Sequence, residues 1–119
     1  MKLLTAGLGL TAALTVVIVL ANCSAEPAGP KLSDLAEKGR RVYSLNCTVC
    51  HGADPHVAGA QGPEIAGASL ELLTARVLHA TYPEGYKPKR DTKQMVALPY
   101  LQDALPALEA YLREVPPSQ

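Results

Sequence analysis

The stretch Asn46-Cys47-Thr48-Val49-Cys50-His51-Gly52 sets two thiols three residues apart and puts an imidazole directly after the second. On one turn of helix, side chains at that spacing project to the same side. Several chemistries use such a pair. A disulfide between Cys47 and Cys50 would close a very short loop and constrain little of the unfolded chain, which makes it a poor staple. A redox dithiol of the thioredoxin kind belongs in a βαβ pattern, and no strand pattern surrounds this motif. Zinc needs four ligands; beyond Cys47, Cys50 and His51 only His56 or His79 is on hand, with no second pair of cysteines at the same spacing.

The remaining chemistry uses all three residues at once. C-x-x-C-H is the attachment signature of a covalently bound haem: two thiols on one helical turn add across the vinyl groups of one porphyrin edge, and the following histidine reaches the iron. The sequence therefore predicts one haem c, tethered through Cys47 and Cys50 and ligated by His51. A sixth ligand has to come from far enough along the chain to reach the other haem face. Met95 is the one methionine besides Met1, and it stands in a proline-bounded loop rather than on an apolar helix face. His79 is its rival, since bis-histidine iron is chemically ordinary. It falls at a helix end, where a polar residue needs no further role. His56 lies too close to His51 to pass round the ring edge and reads as an exposed loop residue.

Upstream, Met1-Lys2 opens an uncharged, mostly apolar run over 3–22 that closes near Cys23-Ser24-Ala25. Such a leader, taken as 1–25, has three readings: a cleaved export signal ending at Ala25, a membrane anchor of about 30 Å, or a lipoprotein leader with Cys23 as the lipidated residue. Leu20-Ala21-Asn22-Cys23 resembles a lipobox, although Asn22 stands where a small residue is usual. All three deliver the body across the membrane, to the periplasm or the outer face of the membrane. Residues 26–32 form a Pro/Gly linker, 33–115 the body and 116–119 a tail. With 119 residues there is room for one domain. Phe and Trp are absent and the only aromatics are five Tyr, so a large apolar cofactor would replace the missing core fillers. Eleven basic residues balance eleven acidic ones, which excludes the strongly basic face of a nucleic-acid binder.

Within the body the pattern is helical throughout. Ser33 or Asp34 caps a helix over 35–46, with Leu35, Val42 and Leu45 as its apolar stripe. The Gly/Pro/Ala-rich 52–67 reads as a loop wrapped around something. Ser69 caps a second helix to His79, with Leu70, Leu73 and Val77 facing inward. A second loop, 81–100, is punctuated by Pro83, Gly85, Pro88 and Pro99, and carries Met95 and the basic cluster Lys87, Lys89, Arg90 and Lys93. The last helix begins near Asp103, accepts Pro106 in its first turn and ends at Pro116-Pro117. The fold class is all-α, three to four helices around the haem.

Gly39-Arg40-Arg41-Val42-Tyr43, the 46–52 motif, Gly62-Pro63, Met95 and Leu108-Glu109-Ala110-Tyr111-Leu112 occur in the order seen in class I cytochromes c, and the body resembles that family of small bacterial monohaem proteins over nearly all of its length. One departure is Met95-Val96-Ala97, where the family often has proline directly after the methionine. The resemblance implies that the first and last helices cross with Gly39 and Tyr43 against Tyr111 and Leu112, and that the Pro63 carbonyl accepts the Nδ1 proton of His51. It also implies a one-electron carrier rather than an enzyme, a monomer exchanging electrons with redox protein partners. Lys87, Lys89, Arg90 and Lys93 are candidates for docking an acidic partner. A dedicated haem subunit of an oxidoreductase complex is the alternative, favoured by an uncleaved anchor or a lipidated Cys23. A haem sensor or peroxidase-like enzyme would need an open sixth position.

Overall fold

The computed structural model describes residues 29–91 and 93–119; the leader readings, Cys23 included, lie outside these residues. Among the described residues there are helices and no strands, as an all-α chain predicts. Helix α1 (Asp34–Asn46) is capped by Ser33, whose Oγ accepts from Ala36 N. A single turn, α2 (Thr48–His51), carries the second thiol and the histidine. After a long loop, α3 (Leu70–Leu73), capped by Ser69, widens into a π turn over Thr74–Leu78. A 3₁₀ helix (Pro99–Ala104) leads into α4 (Leu105–Glu114), with Pro106 in its first turn.

The chain closes by packing α1 on α4. A methyl added at Gly39 would lie 1.8 Å from Ala107 O and 2.8 Å from Tyr111 Cβ. No side chain of any size fits there, so backbone meets backbone. One turn later the rings of Tyr43 and Tyr111 meet, tilted, with centroids 5.4 Å apart. Leu108 and Leu112 are also fully buried in this core. At the open end of the crossing, Glu114 accepts from Ser33 N at 2.9 Å and from Ser33 Oγ at 3.0 Å.

This crossing corrects the apolar stripe expected on the first helix. The buried face of α1 is Ala36, Gly39 and Tyr43, whereas Leu35 and Leu45 are exposed, Leu45 by 83%. Large side chains at the point of closest approach would hold the helices apart, so Ala36 and Gly39 lie there, Tyr43 packs one turn on against Tyr111 and the leucines are displaced outward. The second helix needs a similar correction: Leu73 and Val77 are buried but Leu70 is exposed. The π turn advances each residue by a smaller angle than an α turn, which brings Val77 under Leu73 and leaves Leu70 behind. Pro99, expected to close the second loop, instead starts the 3₁₀ helix. Its missing N–H costs nothing at a first helical position.

Two outcomes test this packing. Gly39→Ala forces backbone apart at the crossing and is expected to cost on the order of 3 kcal/mol of stability in the haem-loaded protein. Gly67→Ala, at φ +72° in open space, should cost about 1 kcal/mol. Urea denaturation of both variants ranks them. A second outcome concerns pH. The two bonds from Ser33, backbone first and hydroxyl second, hold the Glu114 carboxyl below the ordinary carboxylate range. Its folded value lies below its unfolded one, so the clasp adds stability that is complete above the ordinary range and disappears as pH falls through the folded value. Ser33→Ala removes the helix cap, worth about 1 kcal/mol, together with half of the clasp. Its deficit against wild type should be largest near neutrality and shrink on the acid side, as read from denaturation midpoints.

Candidate functional site

The turn 47–51 is fixed from three directions. Cys50 N and His51 N donate to Cys47 O at 3.2 and 2.9 Å, which winds the turn. Tyr43, buried against Tyr111, donates its hydroxyl to Gly52 O at 2.8 Å and so ties the end of the turn to α1. From outside, Gln61 N and Gly62 N donate to Cys50 O at 3.2 and 2.8 Å. The loop after the motif thus folds back onto it.

That return places Gly62 and Pro63 beside the histidine. His51 is buried at 9% exposure, and its Nδ1 lies 2.9 Å from Pro63 O. A carbonyl only accepts, so Nδ1 carries the proton and Nε2 is left with a free lone pair. No buried side-chain nitrogen or oxygen among the described residues lacks a partner, and His51 lines a cavity; Nε2 therefore opens onto that cavity. A methyl at Gly62 would stand 2.4 Å from Nδ1, so the ring position depends on glycine there.

The cavity measures about 520 Å³, within the range of sites for organic ligands. Cys47, Cys50, His51, Pro63 and Met95 all lie on its wall, with Ile65, Leu73, Val77, Leu98 and Leu108 forming apolar parts of the lining. Four expected site residues and the Pro63 carbonyl are thus brought together. His79 is not on this wall; it is exposed in a shallow depression with Leu70, Glu71 and Thr74. His56 is exposed as expected, and its Nε2 lies 2.8 Å from Val115 O.

The thiols Cys47 and Cys50 are free and half-buried. Burial, and secondarily the neighbouring Cys50, raises the Cys47 thiol to about 11. A catalytic redox dithiol has its thiol pushed the opposite way. Among the described residues no group of three or more His, Cys, Asp or Glu side chains converges as a metal site, which leaves the zinc alternative without its donor set. Two adjacent thiols, one imidazole with a fixed tautomer, a thioether and an apolar chamber fit a covalently held haem.

A family model described as Cytochrome c matches residues 36–116. The chain belongs to the cytochrome c family. No curated protein and no solved structure matches the chain. Members of this family bind covalently attached haem c and pass electrons between redox partners, so this cytochrome is a haem-based electron carrier.

Some of the site escaped sequence reasoning. Arg76, Tyr82 and Tyr86 stand on the cavity wall, with the Tyr rings stacked 5.3 Å apart and the Arg76 guanidinium 4.3 Å from the Tyr82 centroid. Two tyrosines four residues apart in a Pro/Gly loop were the available signal. The basic cluster is divided: Lys87, Lys89 and Lys93 are exposed, Lys89 also donating to Glu64 O at 2.9 Å, while Arg90 is half-buried and donates to Gly59 O at 3.1 Å.

Gly62→Ala should displace the imidazole and lower the yield of low-spin holoprotein several-fold, with any material recovered showing a high-spin component in its absorption spectrum.

Proposed function

We propose that this cytochrome carries single electrons outside the cytoplasm with a six-coordinate haem, held through thioethers to Cys47 and Cys50 and ligated by His51 and Met95. The observation that carries the reading is the meeting of these four side chains on one apolar cavity, with the imidazole Nδ1 already engaged by Pro63. When bound, the haem supplies a one-electron Fe(III)/Fe(II) couple, which methionine ligation moves toward high potential.

The remaining work falls to the chain. Pro63 keeps the His51 proton on Nδ1, which makes Nε2 the better donor. Leu73, Val77, Leu98 and Leu108 exclude water from the chamber. Arg76 on the wall offers positive charge to the acidic substituents of the cofactor, whereas the Lys89 ammonium is paired with Glu64 at 3.1 Å. Electrons enter and leave beside the attachment turn, where Leu45, Val49 and Tyr100 are 83%, 84% and 71% exposed. Tyr100 is tied there by its hydroxyl, 3.0 Å from Asn46 Oδ1. An apolar rim of this kind suits brief contact with a partner, and the exposed Lys87 and Lys93 add charge for steering it. The apolar run over 3–22 supports export.

Absorption spectroscopy of the haem-loaded protein tests the reading. The expected result is sharp reduced α and β bands together with the weak methionine-to-iron band at the red end when oxidised. Met95→Ala should lose that band, become high-spin and bind carbon monoxide when reduced, which wild type resists. A low-spin wild type without the band would transfer the sixth position to another residue, and a high-spin one would remove the carrier mechanism.

A further inference from the structure

Arg90 belongs to a basic cluster that sequence alone assigns to partner docking, yet its guanidinium is spent inside the molecule. Nη2 donates to Gly59 O at 3.1 Å, joining positions thirty-one residues apart. Gly59 is itself pressed onto the attachment turn. A methyl there would stand 2.2 Å from Cys50 O and 2.4 Å from the His51 carbonyl carbon, and Gly59 N donates to Gly62 O at 2.9 Å. The carbonyl that Arg90 grips is therefore rigidly referenced to His51.

Met95 lies five residues beyond Arg90. Three residues after it, Leu98 N donates to Val77 O at 2.6 Å. Val77 O is available because it sits at the end of the π turn, where the carbonyls have no partners further along the helix. The segment carrying Met95 is thus fastened at both ends, to the histidine loop through Arg90 and to the π turn through Leu98. Between these fastenings residues 91 and 93–97 have no regular structure, and Met95 is half-buried against the core.

We propose that Arg90 is a positioning residue: by latching the Met95 segment to the Gly59 carbonyl, it holds the thioether in place against the cavity that His51 faces. The proposal rests on the His51/Met95 reading of the site. A charged donor on a carbonyl is among the stronger hydrogen bonds. Lys89 still ties the neighbouring residue to Glu64 O at 2.9 Å, so cutting the Arg90 bond loosens this end of an irregular segment without releasing it, and raises the population of open states in which the sulfur has moved away. The effect belongs to sulfur retention, which partner docking would leave unchanged.

The test uses oxidised holoprotein, titrated with imidazole and, separately, with rising pH, while the methionine-to-iron band is followed. Arg90→Ala should be half-displaced at about tenfold lower imidazole, and its alkaline midpoint should fall by about one pH unit. Arg90→Lys, which keeps a donor on a long stem, should recover most of the loss. Lys38→Ala, which removes a positive charge on the exposed side of α1, should titrate as wild type does. If Arg90→Ala gives no holoprotein, Arg90→Gln, too short to span the gap, goes through the same titration. Wild-type values in either variant overturn the latch while leaving Met95 as ligand. Absence of the band in wild type overturns the ligand reading itself, and the latch with it.

Discussion

Gly39 lies so close to Ala107 that a single methyl would strike the carbonyl, and the rest of the molecule is arranged around that contact. It brings Tyr43 onto Tyr111, and with the ring fixed, the Tyr43 hydroxyl reaches Gly52 O and sets the direction in which the chain leaves the attachment turn. Burial raises the Tyr43 phenol well above its ordinary value, so it stays a donor across the physiological range. A helix crossing of a few atoms thereby becomes the orientation of an imidazole.

The two loops then act as the walls of the chamber. The first is held by backbone bonds to its own surroundings: Cys50 O gathers two amides, Pro55 O gathers Ile65 N and Ala66 N, and Gly67 N reaches Leu112 O at 2.7 Å. Among its described residues the second has few such bonds and relies on side chains and on the π turn. That difference suits the two ligands proposed above. A histidine whose proton must be directed needs a rigid acceptor, whereas a methionine with a flexible, polarisable side chain tolerates a looser mount.

Sequence made some of this plain and left some of it hidden. The thiol and imidazole spacing and the Ser33 and Ser69 caps are local signals, and local signals survive into the fold; the Gly62-Pro63 pair is legible only through the family resemblance. Of the stripe Leu35, Val42, Leu45 only Val42 packs against the core; hydrophobicity ranks residues by transfer from water, while a tight crossing selects them by size at its closest point, where Ala36 and Gly39 lie beside Tyr43. The π turn has no periodic signature of its own, so Leu70 was credited with a burial that belongs to Leu73 and Val77 alone. Charge runs reveal composition and not direction, so nothing in the sequence sets the half-buried Arg90 apart from the exposed Lys87, Lys89 and Lys93.

The pairing of α1 with α4 joins the first and last helices of the domain, and Ser33 is clasped by Glu114 across eighty-one positions of sequence. Contacts of such separation form late, since the loop between them has to be closed first. A chain that emerges amino end first therefore has no complete partner for its first helix until residue 114 has appeared. Throughout that interval Cys47 and Cys50 remain on an unclosed chain. On the proposed attachment through these thiols, the architecture that seals the chamber would also set the order of events, with attachment first and closure after.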